Sequence, residues 1–211
     1  MTLSRRRVTG LAAAAAARFS TGCARAPRPN VIIVQADDLR ATATRPYNPQ
    51  AVQLPNLDRL AGSGTVFDHC YTPHPLCCPA RVSLWSGQYS SRHGSRHNQQ
   101  LMSAVTPNFA QAFHQAGYTL GIFGKNHCFA PPQLKQWFET DFSFASAAWR
   151  SAISPQTSKA IADHANWLRA QGGALLPPAA APFPYQIFPT HIATQHAIDF
   201  LNRPPDNPFL L

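Results

Sequence analysis

The sequence predicts an α/β domain with a mostly parallel central sheet flanked by helices, and three observations carry that prediction. Short apolar or β-branched runs at residues 30–36 and 118–123 each end in polar residues, as buried parallel strands do when they deliver side chains to the carboxyl edge of a sheet. Segments with apolar residues at helical spacing stand between and after these runs, at 55–61, 79–87, 106–117 and 191–201. The 211 residues are enough for one sizeable core and too few for several independent ones.

Residues 1–28 read as an export leader of the twin-arginine kind. Ser4, Arg5, Arg6, Arg7 and Val8 precede an apolar, alanine-rich stretch at 10–17, far shorter than the roughly 20 residues a bilayer span needs. An exported, periplasmic or cell-surface protein is expected. Ser20, Thr21, Gly22 and Cys23 resemble a lipoprotein processing site, which marks Cys23 as a candidate lipid anchor, with Ser20 where such sites usually carry Leu. The leader also explains the charge. The whole chain is formally +9, but six of its 18 basic residues lie in the leader, and the remainder carries 12 Lys and Arg against 9 Asp and Glu. No basic run interleaves with aromatics to follow a phosphate backbone, so nucleic acid is excluded as a partner.

The remaining elements are taken in chain order over a single domain at 29–211. Residues 30–36 form a buried parallel strand ending in Asp37 and Asp38. A helix over 55–61 stops near Gly62 and Gly64, and 65–67 form a short strand. The proline-containing segment 70–78 is irregular until Pro79 opens a helix through Val82, Leu84 and Trp85 to Gly87, which puts Cys77 just before a helix N-terminus. Thr106 and Pro107 open a helix that runs to Gly117. The strand at 118–123 delivers Gly124, Lys125, Asn126 and His127. Residues 130–190 read as insertion or lid material with one helix at 159–171 and no assignable chemistry. A helix at 191–201 leads to residues 208–211, the opening of a strand without room to complete itself, so the domain is expected to be incomplete at its C-terminal end.

Three segments carry chemistry: Asp37 with Asp38; Cys77, Cys78, Pro79, Ala80 and Arg81; and Gly124, Lys125, Asn126 and His127. Singly, each has an ordinary explanation as a solvated turn, a structural Cys-Pro step or a strand-end turn. Together they resemble the sulfatase family, whose signature is Cys or Ser, any residue, Pro, any residue, Arg, then Thr-Gly or Ser-Gly. Here it reads Cys77, Pro79, Arg81, Ser86 and Gly87, and the spacing selects Cys77 over Cys78. Pro55 to Leu60, then Gly87, Gln88 and Tyr89, and Arg92, His93 and Gly94, also resemble the family, as does the Gly-Lys-x-His at 124–127.

The resemblance implies an alkaline-phosphatase-like sandwich and hydrolysis of a small-molecule or carbohydrate sulfate ester. It implies that a formylglycine-generating enzyme oxidises Cys77 to formylglycine, one hydroxyl of whose hydrate attacks sulfur while the other later expels sulfate, which is covalent catalysis with a built-in release step. It further implies a Ca²⁺ (or Mg²⁺) ion held by Asp37, Asp38 and the oxidised Cys77, a type of ion that suits carboxylate oxygens. Arg81 would brace formylglycine and the metal-side acids, Lys125 would bind a sulfate oxygen, and His127 would hydrogen-bond the diol and shuttle its proton. Two departures stand out. Asn126 occupies a position where the family commonly has Trp, and no counterpart of the family's late Asp-Asn or Asp-His metal ligands precedes Leu211. This chain alone is therefore expected to be inactive.

Two other readings compete. The first keeps the fold and changes the substrate to phosphate diesters or phosphonate monoesters. The second gathers His69, Cys70, His74, Cys77 and Cys78 into a structural zinc-binding module. The five cysteines, odd in number and with one adjacent pair, do not form a regular disulfide framework.

Overall fold

The computed structural model describes residues 27–170 and 184–211; residues 1–26 of the expected leader, Cys23 among them, fall outside those residues. The sheet has three parallel strands: β1 (Thr119–Gly124), β2 (Thr140–Ser143) and β3 (Phe209–Leu210). The order across it is β2-β1-β3. Against β3 lies the first apolar run. Val31 donates to the Phe209 carbonyl at 2.8 Å, Leu211 donates to Val31 at 2.9 Å, and Ile33 donates to Leu211 at 2.7 Å, all in parallel register.

The helices are α1 (Pro55–Ser63), α2 (Cys77–Ser86), α3 (Ser90–His93), α4 (Phe109–Gln115), α5 (Pro131–Trp137), α6 (Ala147–Ala152), α7 (Pro155–Ala170) and α8 (Pro189–Asn202). Period-two alternation along β1 sends Leu120 and Ile122 to one face and Phe123 to the other. The first face carries the larger core, in which Cys78, Val82, Met102, Ala110, Leu120, Cys128, Phe129 and Leu210 pack with Leu134, Trp137 and Phe138. Trp85 fastens α2 to it by stacking on Phe109 at 4.2 Å and meeting the edge of Phe129 at 5.0 Å. The opposite face packs Phe142, Trp149 and Ala193 against Phe123, Phe144 and Ile192. Helices thus cover both sides of β1, as a parallel sheet requires.

Three expectations are corrected. Residues 30–36 do pair in parallel, but the run is not buried, because among the described residues it has a partner along one edge only; Val34 is 91% exposed and Ile32 50%. Residues 65–67 form no strand, since β propensity without a neighbouring strand buries nothing. The 130–190 segment is not simply insertion or lid material: α5 crosses over the sheet and brings in β2, whose Phe142 pairs with Phe123 of β1.

Candidate active site

Helix α2 begins at Cys77 itself, two positions before the Pro79 expected to open it. Its fourth-neighbour spacing places Arg81 on the same helix face as Cys77, one turn deeper. The Arg81 guanidinium, 8% exposed, is held by three oxygens from two strand ends. Nη1 donates to Gln35 Oε1 at 3.2 Å and to the Lys125 carbonyl at 2.8 Å, and Nη2 donates to Asp37 Oδ1 at 3.4 Å. A buried guanidinium held at three points is a fixed strut rather than a mobile charge.

Above it, one ammonium joins acid and thiol. Lys125 Nζ donates to Asp37 Oδ2 at 2.6 Å and to Cys77 Sγ at 3.4 Å. The contact with Lys125, helped by the charge of Arg81 and opposed by burial, holds the Asp37 carboxyl below its ordinary range. Burial pulls the Lys125 ammonium down, but its bonds to Asp37 and Cys77 outweigh that and leave it above its ordinary value. Both groups stay charged at neutral pH. Gly124, at φ +85°, turns the chain out of β1 so that Lys125 leans toward α2.

The two adjacent cysteines have opposite environments. Cys77 is partly exposed beside Lys125, whereas Cys78 is wholly buried with Sγ donating to the Gln100 carbonyl at 3.0 Å. Burial raises the Cys78 thiol pKa, and it raises that of the enclosed Cys128 still further. Only position 77 of this pair offers its sulfur to a modifying enzyme or to a substrate.

The Asn126 substitution is explained by its own side chain. Its Oδ1 accepts from the Phe129 amide at 2.9 Å and the Cys128 amide at 3.3 Å, and its Nδ2 donates to the Phe129 carbonyl at 2.7 Å. The loop is thereby closed locally, with His127 in the left-handed region at φ +44°. His127 Nε2 bonds to the Asn98 carbonyl at 2.9 Å, while its Nδ1 is buried without a hydrogen-bond partner among the described residues.

Of the predicted residues, Cys77, Arg81, Lys125 and Asp37 are brought into one contact set. His127 is joined to the head of α2 through Asn98, whose Oδ1 accepts from the Cys78 amide at 3.1 Å. Asp38, at φ +57°, makes no side-chain hydrogen bond or ion pair among the described residues. Gln35 and Asn98 escaped the sequence reading because neither belongs to a spaced motif. Among the described residues no group of three His, Cys, Asp or Glu side chains could hold a metal. The zinc module is therefore not formed: His69 pairs with Tyr71, His74 accepts from the Leu76 amide, and Cys78 is sealed in the core. The carboxylates of Asp37 and Asp38 are hard donors of the kind Ca²⁺ or Mg²⁺ takes, and they fit part of a shell of about six to eight oxygens.

A second pair anchors α2 from behind. The Ser95 amide donates to His93 Nδ1 at 3.1 Å, so the neutral ring carries its hydrogen on Nε2 and gives it to Ser83 Oγ at 2.8 Å.

A family profile described as Sulfatase matches residues 29–211. The N-acetylglucosamine-6-O-sulfatase of Bacteroides thetaiotaomicron is 34% identical over 106 residues, covering 50% of this chain and 19% of that protein. The choline-sulfatase of Rhizobium meliloti is 33% identical over 125 residues, covering 58% and 24%. The chain therefore spans about a fifth to a quarter of the length of these relatives. Among solved structures, the phosphonate monoester hydrolase of Agrobacterium radiobacter superposes with a TM-score of 0.63 at 22% identity, covering 87% of this chain and 40% of that one. Ps i-CgsB, solved with k-i-k-neocarrahexaose, gives 0.64 at 23%, covering 87% and 44%. These likenesses establish the fold, which is alkaline-phosphatase-like and present here in part.

Proposed function

This chain belongs to the sulfatase family, and from that premise we propose that it carries the nucleophile-bearing part of an exported sulfate-ester hydrolase whose position 77 is converted to formylglycine. The observation that carries the reading is the Lys125 ammonium lying between Asp37 Oδ2 and Cys77 Sγ, with the buried Arg81 bracing the same carboxylate. Sulfate monoesters spread negative charge over their terminal oxygens, and their hydrolysis needs fixed cations around the sulfuryl group and a nucleophile in line with the leaving oxygen.

Formylglycine and a divalent metal are general to the family; when present they supply a hydrated aldehyde nucleophile and a hard positive charge. This chain's own residues do the rest. Asp37 and Asp38 offer the carboxylates that would hold Ca²⁺ or Mg²⁺ in part, the remaining oxygens coming from outside the described residues. Lys125 presents its charge to a sulfate oxygen beside position 77. Arg81 keeps the Asp37 carboxylate and the Lys125 backbone in register, and His127 would accept a proton, a role supported by an Nδ1 with no partner among the described residues. The leader at 1–28 would direct export, with Cys23 as lipid anchor, and a formylglycine-generating enzyme is the required partner.

The test is co-expression of the full-length protein with that enzyme, followed by mass spectrometry of the peptide containing residue 77. A lost thiol and a hydrazide-reactive aldehyde are expected. Cys77→Ala should abolish both the aldehyde and aryl-sulfate turnover, and Lys125→Ala should lower kcat/KM by about 10²–10³-fold. An unmodified Cys77 in a fully active enzyme would overturn the reading. Faster turnover of phosphate diesters than of aryl sulfates would transfer the site to the phosphonate and phosphodiester branch.

A further inference from the structure

Asn98 stands in no motif, yet two of its atoms reach the two halves of the site. Helix α2 starts without a side-chain cap from Leu76, its N-cap residue. The first amides of a helix have no partner within it; Pro79 has none to offer, and the Cys78 amide is left over. Asn98 Oδ1, 20 residues further along the chain, accepts that amide at 3.1 Å. It is a cap borrowed from a neighbouring loop.

The same residue's carbonyl receives His127 Nε2 at 2.9 Å. A carbonyl can only accept, so in the neutral ring the bond places the hydrogen on Nε2 and leaves Nδ1 as a bare lone pair. That Nδ1 is buried and has no hydrogen-bond partner among the described residues. A buried acceptor without a donor costs about 1–3 kcal/mol, and here it belongs to a residue already held at a positive φ. The loop is tied just past Asn98, while at residue 98 itself the side-chain tie is the Oδ1 bond to the Cys78 amide. Gln100 donates its amide to the His97 carbonyl at 3.0 Å, its own carbonyl accepts from Cys78 Sγ at 3.0 Å, and Met102 donates to the Cys128 carbonyl at 2.9 Å.

We propose that Asn98 is a positioning residue, holding the head of helix α2 through Oδ1 and the Nε2–H tautomer of His127 through its carbonyl, so that residue 77 and the His127 Nδ1 lone pair share one rigid frame. The geometry stands by itself, whereas the catalytic consequence rests on the sulfatase reading above.

The tautomer is measured first, on the 211-residue chain labelled with ¹⁵N-histidine at pH 8, with His127→Gln used to assign its signals. Wild type should show a single Nε2–H form, with the Nδ1 resonance at the bare-acceptor position. Asn98→Ala keeps the carbonyl but removes the Oδ1 tie that fixes where residue 98 sits, so both ring nitrogens should move toward averaged positions, and Asn98→Asp, which keeps an acceptor oxygen, should restore the wild-type pattern. A wild-type ring protonated on Nδ1, or an Asn98→Ala spectrum identical to wild type, would overturn the proposal. The wild-type measurement needs no variant to fold.

The second measurement uses the full-length, formylglycine-bearing enzyme. Asn98→Ala should lower kcat by about 10–100-fold, as expected for a misplaced reacting group, with KM little changed and activity recovered in Asn98→Asp. A rise in KM at unchanged kcat counts against it. If the tautomer behaves as stated but wild type turns over no sulfate ester, the sulfatase reading fails and the positioning role survives.

Discussion

Arg81 and His93 hold α2 in opposite electrical states. Arg81 is charged under cover because three oxygens receive its N–H groups, whereas His93 is neutral under cover because the Ser95 amide already occupies Nδ1. Burial, with the nearby His74 adding to it, lowers the His93 pKa below its ordinary 6.5. The unfolded chain therefore binds this proton more readily than the folded one. The contribution of His93 to stability is complete above pH 6.5 and is lost as pH falls from there toward the folded-state pKa, with a slope no steeper than about 1.4 kcal/mol per pH unit. Urea denaturation of wild type and His93→Gln between pH 8 and 5 should show the variant lacking this part of the decline; parallel curves would contradict it. At this scale Cys77, Arg81 and Lys125 were legible because they stand at the matching positions of the sulfatase signature and of the Gly-Lys-x-His segment. Asn98 was not, since half of its contribution is a backbone carbonyl, which every residue owns and no sequence letter distinguishes.

Among the elements, β1 does most to aim the site, and it ends on one residue that must turn left-handed. At Gly124 an added Cβ would meet nothing nearer than Phe144 Cζ at 3.6 Å, so space is available and the backbone angle is the obstacle. Gly124→Ala should therefore cost about 1–2 kcal/mol in chemical denaturation, and the cost should come from backbone strain at φ +85° rather than from crowding. Helix α2 and strand β1 could be read in advance because their apolar period and their Pro and Gly punctuation agree. Strand β2 could not: Thr140–Ser143 is four residues long with Asp141 and Ser143 in it, and it becomes a strand only because β1 offers it a ladder and Trp149 covers Phe142 at 5.5 Å. The reverse error at 65–67 has the same root, a favourable composition with no ladder to join.

For the whole molecule, stability concentrates in the aromatic core behind α2. Phe129 is 1% exposed and touches Trp85, Trp137 and Phe138, so Phe129→Ala should cost about 3–5 kcal/mol in urea denaturation; a loss below 1 kcal/mol would mean the core closes over the gap. The parallel α/β plan was readable from strand ends that carry polar residues. That helices flank the sheet was expected as well; which helices cover the second face of β1 was not, because it depends on α6 and α8 meeting Phe123 and Phe142 across long stretches of chain.

One feature of the sheet order reaches beyond the finished molecule. Strand β3 lies between the run that carries Asp37 and the strand that carries Lys125. Phe209, Leu210 and Leu211 thus fill a slot one strand wide, about 4.8 Å on either side, between segments made far earlier in translation. Until those three residues have left the ribosome, the nascent polypeptide has no spacer with which to set the acid and the ammonium at their distance, and the loop around position 77 must wait, unclasped, through more than a hundred further peptide bonds.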